Sequence, residues 1–73
     1  MERTWLIKAR GERTCKEVAK ALGITESYYW RVEQGIRGSR GLPLDRVIKV
    51  AQILGIDPMD AIRQESVWLS SMR

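Results

Sequence analysis

The chain has 73 residues, enough for one domain around one hydrophobic core and too few for an additional catalytic domain. A hydrophobic fraction of 44% and a charged fraction of 30% exclude a disordered or fibrous protein. The net charge of +4 lies entirely in residues 1–40, which have nine basic and five acidic residues. A basic half joined to a neutral half is typical of a protein that binds a polyanion, such as nucleic acid, through its basic half.

Three short helices are predicted in the first half of the chain from the spacing of apolar residues and from helix-capping residues. The first covers Arg3–Arg10. The segment Thr14-Cys15-Lys16-Glu17 has the form of a capping box, and Gly23 can end the second helix in a left-handed conformation. Thr25 caps the third helix, which runs to Gln34. Two short helices therefore meet at a tight turn.

A loop and two more helices are predicted in the second half. The glycines between residues 35 and 41 indicate a loop. From Pro43 an apolar stripe that ends at Gly55 predicts a fourth helix, and its members are Leu44, Val47, Ile48, Ala51 and Leu54. Asp57 and Pro58 predict the cap and the first turn of a fifth helix. The expected fold is all-α, with residues 1–73 forming a single domain.

Residues 14–35 have the spacing of a helix-turn-helix. Ala19 is small where two helices must approach, Gly23 makes the turn, and Tyr29 and Val32 point the next helix's inner face toward the core. Together with Glu33, Gly35 and Val50-Ala51-Gln52-Ile53-Leu54-Gly55-Ile56, the segment resembles the Cro/repressor-type (XRE) helix-turn-helix family. The resemblance covers about residues 3–65 and implies a compact five-helix, lambda-repressor-like domain that binds double-stranded DNA.

The resemblance also implies roles for individual residues and has departures. Glu33 is implied to pair with an arginine of the first helix, for which Arg10 is the candidate. Cys15 stands where the family usually has a glutamine that touches a phosphate. The link after Arg10 is shorter than usual in the family, and the loop Ile36–Gly41 is longer. Both differences could move the protein against the DNA backbone.

The outer face of the third helix is implied to contact base edges in the major groove. The residues expected to contact bases are Glu26, Ser27, Trp30, Arg31 and Gln34. Arg31 could pair with guanine or be an ordinary solvated arginine, and Glu26 could accept from cytosine N4 or simply favour the helix start. Trp30 either touches a thymine methyl or sugar, or covers a neighbouring side chain.

Phosphate contacts are expected to position the protein, helped by backbone amides at helix starts. The residues expected to make them are Thr14, Lys16, Thr25, Tyr28, Arg37 and Arg40. Tyr28 would donate its hydroxyl, whereas Tyr29 is expected in the core. For the two loop arginines the alternative is a flexible, solvated loop.

The expected function is sequence-specific DNA binding by a transcriptional regulator, in the simplest case a repressor. An antitoxin-type autoregulator and a small activator are alternatives within the same class. The alternative from another class is a protein–protein interaction module that keeps the fold without binding DNA. Cys15 and the outward Trp30 favour that module, and Arg31, Arg37 and Arg40 oppose it.

A homodimer on palindromic half-sites is the usual way for such a fold to gain specificity. The carboxy-terminal tail, residues 66–73, is a candidate dimer contact through its four apolar residues Val67, Trp68, Leu69 and Met72. Alternatively, these residues close the core.

An enzyme, a cofactor and a metal site are not expected. The chain has no histidine and one cysteine, which leaves no acid–base or nucleophilic constellation and almost no zinc ligands. Cys15 cannot form an internal disulfide, and a helix amino terminus lowers a thiol pKa, so a redox role stays open. The chain shows no apolar segment of a signal peptide or membrane span. We therefore expect a cytoplasmic, nucleoid-associated protein with no membrane partner and no small-molecule ligand.

Overall fold

The computed structural model describes residues 1–72, and within them the secondary structure is entirely helical. The helices are α1 (Thr4–Arg10), α2 (Cys15–Leu22), α3 (Glu26–Glu33), α4 (Leu44–Leu54) and α5 (Pro58–Ser71). The predicted all-α class and the five-helix order are confirmed. Arg73 lies outside the described residues. None of the helices in residues 1–72 combines the length and the apolar character needed to cross a membrane.

The helix ends follow local sequence signals in most places. Thr14 Oγ1 accepts a hydrogen bond from the Glu17 amide at 3.1 Å, and Thr25 Oγ1 accepts from the Tyr28 amide at 3.1 Å, so both predicted caps form. Gly23 adopts φ 73° and ends α2 in the left-handed conformation. The turn between α2 and α3 is therefore built as the sequence predicts.

Three predicted boundaries are off by one residue, and one predicted cap bond does not form. The first helix begins at Thr4, with Arg3 as its N-cap rather than its first residue. The third helix ends at Glu33, and Gln34 is its C-cap rather than its last residue. Pro43 precedes α4 with an extended ψ of 147°, so it lies outside the helix instead of in its first turn. The predicted start of α5 at Pro58 is confirmed, and Asp57 occupies the N-cap position but makes no side-chain cap bond. The Pro58 ring already fixes φ at a helical value.

The core is formed by the inner faces of all five helices. Its buried hydrophobic residues are Trp5, Leu6, Val18, Ala19, Tyr29, Val32, Val47, Val50, Ala51, Leu54, Ala61 and Trp68. Tyr29 and Val32 point inward as predicted. Leu44, predicted to belong to the apolar stripe of α4, is instead 59% exposed, and Val50 is buried. Leu44 is the first residue of its helix, so no preceding turn of α4 packs beside it.

Residues 66–71 do not form a separate tail, because α5 continues to Ser71. Trp68 is buried and its Nε1 donates to the Glu2 carbonyl at 2.8 Å, while Leu69 packs partly buried against the core. Trp68 and Leu69 therefore close the core, the second of the two roles considered for the apolar residues of the tail. Val67 remains 60% exposed, and Met72 also lies at the surface.

The packing order leaves one side of α3 free. α3 packs on α2 and α1, whereas α4 packs on α5 and α2. The inner side of α3 is thus held by the first two helices, and its opposite side faces outward.

Candidate nucleic-acid interface

The residues predicted to contact bases lie together on the outer side of α3. Glu26, Ser27, Trp30 and Arg31 are exposed, and Gln34 is half-buried at the C-cap. Residues three and four apart share a helix face, so this spacing forms one continuous patch. Trp30 is 48% exposed, so an indole lies at the surface among these polar side chains. The last helix, α5, does not cover this patch.

The inner side of α3 is fixed by an ion pair with α1. The Arg10 Nε lies 2.7 Å from Glu33 Oε2, and its Nη2 lies 3.2 Å from Oε1. The Glu33 carboxylate is buried, and its hydrogen bond raises the pKa of Arg10. The pairing expected from the family resemblance is confirmed. A two-bond arginine–carboxylate contact restricts rotation as well as separation, so it orients α3.

Two further groups lie close to the Glu33 carboxylate. The Tyr29 hydroxyl is buried and has no hydrogen-bond partner among residues 1–72. Burial, with the nearby Glu33 carboxylate, raises the pKa of Tyr29 well above its ordinary value, so the phenol is neutral. The Cys15 Sγ lies 3.8 Å from Glu33 Oε1.

The pKa of the Cys15 thiol is raised, chiefly by burial and next by the charge of Glu33. This shift is opposite to the lowering expected at a helix amino terminus. Partial burial and the nearby Glu33 carboxylate both disfavour the thiolate, whereas a helix amino terminus favours it. Cys15 also lines a shallow cleft together with Glu26, Ser27 and Trp30.

We expect iodoacetamide to alkylate Cys15 severalfold more slowly in the folded protein than in the same protein unfolded in urea, at pH 7.5. The thiolate is the reacting form, and a raised pKa lowers its fraction at this pH. The ratio of the two rates should shrink as the pH rises toward 10. Mass spectrometry of quenched samples gives both rates. Faster alkylation of the folded protein at neutral pH would contradict the prediction.

The residues predicted to contact phosphates lie at three places around α3. Thr14 and Lys16 are exposed at the start of α2, Thr25 is exposed and Tyr28 half-buried at the start of α3, and Arg37 and Arg40 are exposed in the loop that follows α3. The two threonine hydroxyls already accept cap bonds. A hydroxyl can accept and donate at once, so each keeps a hydrogen to donate.

The loop between α3 and α4 is tied to the start of α3. The Arg37 guanidinium carbon lies 5.2 Å from the centre of the Tyr28 ring, a cation–π distance. The amides of Ile36 and Arg37 both donate to the Arg31 carbonyl, at 3.0 and 3.1 Å. The first part of the loop is therefore held against α3, while the side chains of Arg37 and Arg40 are exposed.

A residue that was not expected in the core, Arg3, lies beneath this loop. Its side chain is wholly buried, and its Nε lies 2.9 Å from Glu65 Oε1. The signal that could have located the pair is the position of Glu65, four residues after Ala61 and three before Trp68, on the buried side of α5. A carboxylate at helical spacing within an apolar stripe needs a buried cation or several donors.

Two more cations were missed because residues 41–73 are neutral overall. A cleft of about 390 Å³ separates the α2–α3 turn from α4, and Arg46 and Lys49 contribute to its walls together with Tyr28. Both cations are exposed. The positive side chains near Tyr28 thus come from α4 as well as from the loop.

A family model described as a helix-turn-helix domain matches residues 6–62. Comparisons with curated proteins and with solved structures found no match. The matched region contains α2, the turn and α3, the elements that carry the exposed patch, and it supports DNA as the partner. The chain belongs to the helix-turn-helix domain family, in agreement with its resemblance to the Cro/repressor type.

Proposed function

We propose that this protein is a sequence-specific DNA-binding regulator of transcription, in the simplest case a repressor, that reads a short operator with the outer face of α3. The observation that carries the proposal is the sidedness of this helix. Tyr29, Val32 and Glu33 are buried on one side, while the exposed polar residues lie on the other. Such a regulator would act in the cytoplasm, associated with the nucleoid.

The side chains on the exposed face have the chemistry for base recognition in the major groove, which is wide enough to admit an α-helix. The guanidinium of Arg31 would pair with guanine O6 and N7, and the Glu26 carboxylate would accept from cytosine N4. Gln34 would bind adenine, Ser27 either kind of base, and Trp30 the methyl group of a thymine.

Cations on two sides of α3 would position it by contacting phosphates. Lys16 lies at the start of α2, next to the cap hydroxyl of Thr14, and Arg37 and Arg40 lie in the loop. Tyr28 and the cap hydroxyl of Thr25 would add uncharged donors at the start of α3. Arg46 and Lys49, at the cleft beside Tyr28, extend the same positive surface.

We propose a two-fold homodimer as the DNA-binding form. α3 has eight residues, and at about 1.5 Å per residue it spans only a few base pairs. A palindromic operator read by two copies doubles the recognised sequence. Val67 of α5, the C-cap residue Met72, and Met1, which lines a surface cleft together with Val67, are exposed apolar side chains available for contact with a second copy.

A salt titration with a mixed-sequence DNA duplex tests whether the protein binds DNA at all. We expect the logarithm of the binding constant to fall linearly with the logarithm of salt concentration, with a slope of about −0.9 for each phosphate contacted. Fluorescence anisotropy of a labelled duplex measures this slope. An interaction module without DNA binding would give no anisotropy change at low salt, and that result would refute the proposal.

Footprinting on the DNA upstream of the protein's own gene then supplies an operator and tests autoregulation of the antitoxin type. With that operator in hand, Arg31→Ala should reduce discrimination between operator and random DNA by about 5- to 150-fold, because a two-bond contact to guanine carries about 1–3 kcal/mol of selectivity. Lys16→Ala is the matched control. It should weaken binding to both duplexes equally and lower the salt slope by about 1.

The two variants separate base contact from phosphate contact. Both residues are exposed, so neither change should alter the helical circular dichroism spectrum. Unchanged discrimination in Arg31→Ala, with the spectrum intact, would show that α3 does not read the operator through this residue.

A further inference from the structure

Every N–H group of the buried Arg3 guanidinium has an acceptor. Nε and Nη2 donate to the two oxygens of Glu65 at 2.9 and 3.0 Å. Nη1 donates to the Val32 carbonyl at 2.6 Å and to the Arg37 carbonyl at 2.9 Å, and Nη2 also donates to the Gly38 carbonyl. A guanidinium has five N–H donors, so none is left over.

The acceptors of Arg3 belong to parts of the chain that border the exposed patch. Val32 is in the last turn of α3, and Arg37 and Gly38 are in the loop that carries the two arginines expected on phosphates. One planar group therefore links the end of α3 to the loop. The side chain of Arg37 lies against Tyr28 at the surface, while its carbonyl is held from below.

Glu65 fixes the other end of the loop. Its Oε2 accepts from the Leu42 amide at 2.9 Å, and its Oε1 accepts from Trp5 Nε1 at 3.1 Å. The Trp68 ring lies 4.1 Å from the Arg3 guanidinium carbon. The ion pair is thus held between two tryptophans and binds backbone groups on both sides of Arg40.

We propose that Arg3 is a positioning residue for DNA binding: it does not touch DNA, and it holds the loop of residues 34–43 in the conformation that presents Arg37 and Arg40 to phosphates beside α3. The inference rests on the proposed function. A loop that is already ordered loses less entropy when it binds. If the Arg3 contacts are lost, DNA binding therefore weakens because Arg37 is no longer held in place to contact a phosphate. It does not weaken because the whole fold is destabilised.

Arg3→Lys is the variant that tests this role. Lysine keeps the positive charge beside Glu65, but its three donors radiate from one nitrogen and cannot span Glu65 and both loop carbonyls as the planar guanidinium does. Arg13→Lys is the matched control, because Arg13 is exposed and makes a single bond of 3.3 Å to the Leu54 carbonyl.

A double-mutant cycle with Arg37→Ala gives the decisive readout. On a mixed-sequence duplex at low salt, we expect Arg37→Ala to weaken binding about tenfold in the parent and in Arg13→Lys, but less than twofold in Arg3→Lys, because groups in one network are energetically coupled. Arg3→Lys alone should lower the salt slope by about 2, because neither Arg37 nor Arg40 would then be held at a phosphate. A purely structural role would leave the cost of Arg37→Ala unchanged, and equal costs in both backgrounds would overturn the proposal.

Amide hydrogen exchange tests the same role without DNA. In Arg3→Lys we expect faster exchange at Ile36, Arg37 and Gly41, which donate within the loop or to α3, and unchanged exchange at Ala51 in the core. Unchanged loop exchange would overturn the proposal. If the parent does not bind DNA, the proposed function fails, and the exchange measurement still decides whether Arg3 orders the loop. Should Arg3→Lys not fold, the double variant Arg3→Gln/Glu65→Gln, which removes both buried charges together, replaces it in the cycle.

Discussion

Glu65→Ala is expected to lower the free energy of unfolding by about 3–5 kcal/mol, the cost of leaving one partner of a buried ion pair uncompensated. Arg3 would keep its charge in the core without a counter-ion, and Trp5 Nε1 and the Leu42 amide would lose their acceptor. Native domains of this size are stable by only about 4–11 kcal/mol. The variant should therefore be partly unfolded near 37 °C.

Urea denaturation followed by tryptophan fluorescence measures this loss, since Trp5 and Trp68 both contact the ion pair. Gln64→Ala is the matched control, because Gln64 is the exposed neighbour of Glu65 on the same helix, and it should change stability by less than about 0.5 kcal/mol. A Glu65→Ala variant as stable as the Gln64→Ala control would show that the ion pair contributes little.

The helix-turn-helix is predictable from sequence because its determinants are local. The threonine caps act on amides three residues away, and Gly23 acts through its own φ. The sidedness of α3 follows from helical periodicity, which places Tyr29 and Val32 inward. The Arg10–Glu33 pair is the exception, since its residues are 23 positions apart, and it was predicted from the family resemblance rather than from spacing.

Of the Arg3–Glu65 network, the helical spacing of Glu65 indicates a buried carboxylate, but nothing in the sequence indicates its partner. Arg3 and Glu65 are 62 positions apart, and charged residues near a chain end are by default solvated. Four of the groups bound by this pair are backbone carbonyls or amides of the loop and α3, which carry no sequence signal. The order of the loop, and hence the placement of Arg37, therefore becomes visible only with the tertiary structure.

Gly35 and Gly23 provide a matched pair that separates backbone strain from close packing. Both adopt a left-handed conformation, with φ of 77° and 73°. A Cβ on Gly23 would meet nothing within 4 Å. A Cβ on Gly35 would overlap the Met1 carbonyl oxygen and would lie 3.0 Å from Trp68 Cζ2. The amino-terminal segment thus passes directly over Gly35.

Gly23→Ala should lower the free energy of unfolding by about 1–2 kcal/mol, the cost of the left-handed backbone alone. Gly35→Ala should lower the free energy of unfolding by about 1–3 kcal/mol more than Gly23→Ala does, because the added Cβ overpacks the site. The amino-terminal segment cannot retreat freely, because the Arg3 amide donates to the Glu33 carbonyl at 2.7 Å and Trp68 Nε1 donates to the Glu2 carbonyl. Urea denaturation of both variants gives the comparison. Equal losses at the two positions would mean that the amino-terminal segment moves aside at no cost and does not brace the end of α3.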